Sequence, residues 1–556
     1  MSAPIAKERR QRAPLGFWTI VSIVVLGFLL LFLIFPLVRL IGSSLLADDP
    51  NRILQAYSDL VTKAYYRDAL LNSLILTACA TVIATMLGTT LAYLISRYRI
   101  RGKLFVRALI VLTFVSPPFI GAYSWILLFG RSGFVTEWFA GWGMTLPSIY
   151  GWAGTILVLG LQSTPLVYLM VSSGFKTIDQ SIEDAAINLG SSHAKVFWST
   201  TLPLMRPAIS TGALLAAVTA FTDFGTPAII GQNLRVLPRL IYSEFVSETG
   251  SDYQVASALS VVLLLFTIGA LTFQRFYARR HSYGNSCNIP LGVRQSTRAH
   301  RLLVNVAVYG ILLVTALPLF TVVASSLLRT QGSRFILEFS LEGWQNTPRL
   351  WESLGNTMFL ATTATAVCVI VGPLIAYLIV RRPGRTTGFI DFLSMVPYAV
   401  AGVVLAIAIS VTFGGAPFYL AGTFLILVIV YVVRRLPFSV RSSAAMLGQT
   451  GSQAEEASVN LGVPPSRTFL RITVPMILPA ILSGGLLTWA TLVREFNATV
   501  ILYGSSTGTM SVEIFRQILR GDFGAASVIG TLLILVSLAP ILILFKFLGK
   551  DEEFLS

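Results

Sequence analysis

Asp223 and Glu495 stand where a carboxylate is costly: each lies in an otherwise apolar stretch, and each is followed by Phe. Ionisable groups in such segments are rare and are functional candidates by default. Two carboxylates on one path could offer hard oxygen ligands to a cation. The other reading is that each caps a loop or pairs locally, with Arg494 neutralising part of the charge on Glu495. Gly225 and Pro227, just past Asp223, favour a helix break at which backbone faces a cavity. Other chemistry is missing from the sequence. It contains no H-E-x-x-H, no G-x-S-x-G, and no C-x-x-C pair among Cys79, Cys287 and Cys368. His193, His281 and His300 are scattered, so neither a His/Cys metal cage nor a catalytic residue is expected.

A second set of residues occurs twice. Asp184-Ala185-Ala186, Gly190, Leu202 and Pro203 are matched, 272 residues later and without a gap, by Glu456-Ala457-Ser458, Gly462, Val474 and Pro475. The same register runs from Asn188 and Asn460 to Phe224 and Phe496, and it sets Asp223 opposite Glu495. LAYLISR at 91–97 also matches IAYLIVR at 375–381 with a different offset, which pairs Tyr93 with Tyr377. The chain therefore reads as two homologous halves in tandem. In the first loop Ile178, Ile182, Ala185, Ala186 and Leu189 fall on one face of a short helix. Ser452 with Glu455 three residues on predicts a capping box. Gly190 and Gly462 supply the left-handed residue that ends a helix. The prolines beyond predict another break, so each loop reads as helix, glycine turn, second short helix, then re-entry into an apolar segment. A single loop of this kind could simply lie on a lipid surface. Its duplication at equivalent places favours docking to a symmetric pair of soluble partners.

These residues need membrane-crossing helices to position them. Of 556 residues, 54% are hydrophobic and only 12% charged, whereas soluble domains run at about 25% charged. A soluble enzyme and a disordered scaffold are excluded, and an integral membrane protein is expected. The net charge of +16 calls for no nucleic-acid partner, because membrane proteins concentrate Lys and Arg on one face. Apolar runs fall near 17–41, 72–96, 107–129, 151–173, 207–231 and 255–277, then near 302–327, 355–380, 389–411, 418–436, 477–502 and 527–548. That predicts an all-α protein of about twelve spans, six per half, with the halves related by a pseudo-twofold axis. Arg97, Arg99, Arg101, Lys103 and Arg107 cluster after the second span, and Arg381, Arg382 and Arg385 occupy the equivalent place in the second half. By the positive-inside rule both clusters, both duplicated loops and both termini are cytoplasmic. The expected divisions are a basic N-terminus (1–16), a first half (17–277) with its loop at 176–206, a linker (278–301), a second half (302–548) with its loop at 437–476, and a tail (549–556).

The duplicated loops resemble the EAA signature of permease subunits in bacterial ABC importers: Glu-Ala-Ala, three residues, Gly, nine residues, then Ile-x-Leu-Pro. The first copy keeps the spacing with Asp184-Ala185-Ala186, Gly190, Thr200, Leu202 and Pro203, and the second with Glu456-Ala457-Ser458, Gly462, Ile472, Val474 and Pro475. The resemblance implies a type I ABC importer permease in the bacterial inner membrane. It also implies that Asp184–Gly190 and Glu456–Gly462 are coupling helices seated on two copies of a cytoplasmic ABC ATPase, and that a periplasmic binding protein delivers the cargo. The chain has no G-x-x-x-x-G-K-[ST] loop, so ATP and Mg are expected on the partner and no cofactor on this chain. Fused tandem permeases of this length resemble the ferric-iron and thiamine importers, and residues 221–231 are most similar to the ferric-iron branch. Importers of polyamines, 2-aminoethylphosphonate and phosphosugars share the pattern. An ion-coupled transporter of twelve spans is the competing class, but it has no use for a duplicated coupling loop.

Overall fold

The computed structural model describes residues 16–45, 55–246, 252–280, 292–294, 297–331 and 334–548. The basic N-terminus before residue 16, most of the linker between the halves and the 549–556 tail lie outside the described residues. Helix dominates because backbone polar groups in hydrocarbon must be satisfied within their own segment. Nine described helices are long and apolar enough to cross a membrane, or eleven if two bent pairs each count as one span. The pairs are the third spans of the two halves. Lys103–Phe114 meets Phe119–Ala140 at 102°, and Arg385–Ala399 meets Gly402–Phe413 at 110°. Pro117 and Pro118 explain the first break, since neither offers an N–H to continue a helix. The expected tenth span is shifted to Phe424–Gln449, where Arg434, Arg435 and Arg441 interrupt the apolar run.

Small residues set the packing within each half. Along Ala64–Arg97 the buried positions include Ala69, Ser73, Ala80, Ala84, Gly88 and Ala92, and along Leu350–Arg381 they include Ser353, Thr357, Ala361, Ala364, Cys368, Gly372 and Ala376. Such stripes let helices approach closely where lipid gives no hydrophobic drive. Gly88 and Gly372 are the close points along these two helices: a Cβ would meet Val167 Cβ at 2.7 Å and Ser439 Oγ at 2.3 Å.

The halves are interlocked, which the linear division into 17–277 and 302–548 does not convey. The first described helix, Phe17–Leu29, packs on the second half, with Trp18 stacked on Tyr377 at 4.2 Å and edge-on to Phe469 at 5.3 Å. Reciprocally, Arg298–Ser325 leans on the first half, where Tyr309 donates to Arg101 O at 2.7 Å and Asn305 Oδ1 accepts from Arg101 N–H at 3.1 Å. A hairpin of Leu328–Gln331 and Arg334–Phe339, paired antiparallel, is the one sheet among the described residues. The apolar-run pattern gave no sign of it.

Candidate functional site

Each duplicated loop folds as a short helix, Gln180–Asn188 or Gln453–Asn460, ended by a glycine turn. Asp179 caps the first by accepting from Ser181 N–H at 2.9 Å. The capping box expected at Ser452 does not form: Ser452 donates to Glu456 at 2.6 Å, while Glu455 turns inward. Gly190 has φ of 86° and Gly462 of 82°, the left-handed turn that the spacing predicts. The break expected at the downstream prolines is absent. His193–Val196 runs through a π-helical turn, Phe197–Thr201, directly into Leu202–Thr222, and the second copy repeats this through Phe469–Thr473. The wider turn accommodates Pro203 and Pro475, which lack the N–H an α-helical ladder needs there.

The apolar stripe read along the first helix splits: Ile178 is buried, whereas Ile182 and Leu189 face outward. Leu189 is 88% exposed and Leu461 85%, with Ile182 and Val459 beside them and the equivalent Trp198 and Leu470 nearby. Asp184 and Glu456 are also exposed, held by Gln180 and Ser452. Ala185 and Ala457 share that outer surface, Ala186 is half-buried, and Ser458 is buried against Thr468 at 2.9 Å. Downstream, Leu202, Pro203 and Ile472 are half-buried and Pro475 is exposed.

What each helix buries is an acid. Glu183 and Arg97, each 1% exposed, form an ion pair, and Thr201 donates to the same carboxylate at 2.6 Å. The repeat-equivalent Glu455 meets Arg381 Nε at 3.4 Å. The short helix of each duplicated loop is thus tied to the end of that half's second span. The first receives more: Arg294 from the linker reaches Glu183 at 3.2 Å and Tyr93 Oη at 3.2 Å, and Arg97 donates to Gly292 O at 2.9 Å. These acids were missed in the sequence, although Glu183 and Glu455 keep the 272-residue register and their arginines close the two matched heptapeptides.

A Cβ on Gly190 or Gly462 would meet nothing within 4 Å, so substitution there costs only backbone strain. Gly462→Val is expected to lower stability by about 1–2 kcal/mol and to redirect the chain between the two short helices. On the expectation of an ATPase partner, which the resemblance raises, the check is ATP hydrolysis and transport in one vesicle preparation: hydrolysis persists and transport falls. Unimpaired transport in both Gly190→Val and Gly462→Val would contradict it.

Asp223 and Glu495 are brought together at a cavity of about 630 Å³ between the halves. The breaks of both bent spans border it, through Ser116 and Pro117 on one side and Val400 and Ala401 on the other. Asp223 follows the last residue of Leu202–Thr222, and its oxygens accept from Gly225 N–H at 3.2 Å, Thr226 N–H at 3.4 Å and Gln162 at 3.3 Å. Glu495 accepts from Ala498 N–H at 3.2 Å, from Arg435 at 2.7 Å and from Arg434. Both acids cap the short helix that follows, so the local-pairing reading describes their bonding while the cavity places them together. Arg494 lies within the field of Glu495 but gives its hydrogen bonds elsewhere. It donates to Phe114 O at 2.6 Å and Ser116 O at 3.2 Å, filling carbonyls left open at the break in the other half.

The 272-residue register extends upstream to Gln162 and Arg434, Ser163 and Arg435, and Pro165 and Pro437. The contacts Gln162–Asp223 and Arg434–Glu495 are therefore one interaction made twice, neutral in one half and ionic in the other. Phe224 and Phe496, the residues after the two acids, touch each other at 5.8 Å, which puts the pseudo-twofold axis between them. Arg434 and Arg435 went unnoticed in the sequence because the apolar run simply ends at them.

Comparison with known proteins agrees with this tandem architecture. A sequence profile described as "Binding-protein-dependent transport system inner membrane component" matches twice, over residues 84–283 and 369–551. The ferric transport system permease protein FbpB of Actinobacillus pleuropneumoniae is 28% identical over 541 residues, 94% of this chain and 77% of that protein. The Fe(3+)-transport system permease protein FbpB 2 of Haemophilus influenzae is 27% identical over 506 residues, 88% of this chain and 92% of that protein. A half-length relative, the molybdenum transport system permease protein ModB of Escherichia coli, is 27% identical over 216 residues, 38% of this chain and 93% of its own length.

Proposed function

The chain belongs to the family of binding-protein-dependent transport system inner membrane components, and from that membership we propose that it is the permease of an ATP-driven importer whose cargo is ferric iron. It is a multi-pass inner-membrane transport subunit. The observation that carries the ATP-driven reading is the pair of coupling helices: two equivalent elements that bury an ion pair inward and present Leu189 and Leu461 outward. An exposed apolar residue at the same place in both halves suits two copies of one soluble partner. We assign that role to an ABC ATPase, which holds the ATP and Mg that this sequence has no phosphate loop to bind. The Asp184–Gly190 and Glu456–Gly462 segments seat in its clefts, and the 200–203 and 472–475 segments carry the movement into the fifth spans. This orientation puts both coupling helices and both termini in the cytoplasm and opens the other face to a periplasmic binding protein. Closure of the ATPase pair then rocks the two halves and alternates access to the cavity between them. Iron as cargo is supported by the two long-matching relatives, each a permease protein of a ferric or Fe(3+) transport system.

The test is uptake of radiolabelled ferric iron, at limiting supply, by cells with and without this chain. Deletion is expected to abolish uptake and the intact gene to restore it. A Leu189→Asp, Leu461→Asp double variant is expected to insert normally, lose the co-purifying ATPase and restore nothing. Uptake unchanged by deletion would remove iron as the cargo. Retention of ATPase and transport by the double variant would remove the docking assignment.

A further inference from the structure

We propose that cargo crosses the cavity between the halves as an anion, either an oxyanion or ferric iron held in a complex of net negative charge. The inference rests on reading the chain as an importer permease and adds the charge class of what passes.

The lining holds three guanidinium groups, Arg434, Arg435 and Arg494, against two carboxylates, Asp223 and Glu495. Guanidinium stays charged under all physiological conditions. The surplus is positive before cargo arrives. The oxygens a bare cation would need are already engaged. Asp223 accepts from two backbone N–H groups and Gln162, and Glu495 from two arginines and Ala498 N–H. Among the described residues no group of three or more His, Cys, Asp or Glu could hold a metal ion. A hard trivalent cation needs such a group, so no binding step for the bare ion is available at this cavity.

Donors are left over, beside one unpartnered acceptor, Gln162 Oε1. Arg435 Nε and Ser163 Oγ are buried without a partner, and both residues line the cavity. Arg494 commits only Nη1 to carbonyls of the opposite half. Guanidinium forks with a hydroxyl beside them are the donor set that suits phosphate and carboxylate oxygens. The charge is also one-sided. Gln162, Ser163 and Thr222 stand in the first half where the second has Arg434, Arg435 and Arg494, so all three lining cations sit on one wall, while each wall keeps one carboxylate, Asp223 or Glu495. An anion held by one wall alone is able to leave when the halves move apart.

The test uses the full chain with its co-purified ATPase in liposomes, served by its binding protein. Radiolabelled ferric iron is supplied with labelled phosphate in one arm and labelled citrate in the other. The expected result is that one of the two anions accumulates inside together with iron, which also identifies the source of the negative charge. In that arm Arg435→Gln lowers uptake about tenfold, and Arg435→Lys, which keeps the charge, recovers most of it. Iron entering without either anion overturns the proposal. If no iron enters, molybdate and putrescine separate the readings. Uptake of molybdate sinks iron as cargo and leaves the anionic path standing, whereas uptake of putrescine, a cation, sinks both.

Discussion

Glu183→Ala is expected to cost the protein about 3–5 kcal/mol of stability and to abolish transport, a larger loss than any single change in the second duplicated loop. Glu183 is the common partner of Arg97 and Arg294, and Thr201 donates to it as well. Its removal leaves Arg97, 1% exposed, as a buried charge without a counter-ion. Removing one member of such a pair costs far more than the pair contributes net, because desolvation of the survivor is no longer offset. In the second half Arg381 is 15% exposed, keeps water access, and also donates to Thr450 O at 2.9 Å. Glu455→Ala is accordingly expected to cost only about 1 kcal/mol. Thermal inactivation of the two purified variants, followed by size-exclusion chromatography, ranks them directly. A double variant, Arg97→Met with Glu183→Met, supplies the control: it removes the orphaned charge and should regain part of the loss. Equal stability of Glu183→Ala and Glu455→Ala would refute the asymmetry between the halves.

That asymmetry marks where the sequence stops being readable. The tandem repeat, the run of apolar helices and the glycine turns are legible because they depend on local patterns: apolar run length, the 272-residue register, and the conformation only Gly190 and Gly462 adopt readily. Which face of a coupling helix is buried is not local. Periodicity puts Ile178, Ile182 and Leu189 on one face, yet Ile178 is buried while Ile182 and Leu189 face outward, with Glu183 turned inward to Arg97. Apolar periodicity has no term for a partner that is a separate chain. The exchange of first spans has the same character. Trp18 lies in the first span of the first half, and only its stacking on Tyr377 places it against the second. Arg434 and Arg435 were legible in principle. Pro165 and Pro437 share the register of the duplicated loops, and carrying that register upstream aligns Gln162 with Arg434, the two residues that contact the acids already singled out.

Glu495→Gln is the second large effect, and its sign depends on what is in solution. The amide keeps an oxygen for Ala498 N–H but removes the charge shared by Arg434 and Arg435, which are 16% and 19% exposed. Partial exposure softens the penalty to about 2–3 kcal/mol. Asp223→Asn is the matched control. Asp223 is held by neutral donors only, so its amide loses about 1 kcal/mol. The two freed guanidinium groups of Glu495→Gln then form an open anion site. Phosphate that binds them in the folded state stabilises the variant in proportion to occupancy, by about 2.7 kcal/mol at a hundred times its dissociation constant. A phosphate titration of thermal stability is therefore expected to rescue Glu495→Gln and to leave Asp223→Asn and the unmodified protein nearly unmoved. Transport follows the opposite course. An anion that replaces Glu495 has no competing carboxylate to release it, so uptake by Glu495→Gln should fall further as phosphate rises. Rescue by sodium chloride at matched ionic strength would reduce the effect to screening. Rescue of Asp223→Asn to the same extent would place the phosphate elsewhere.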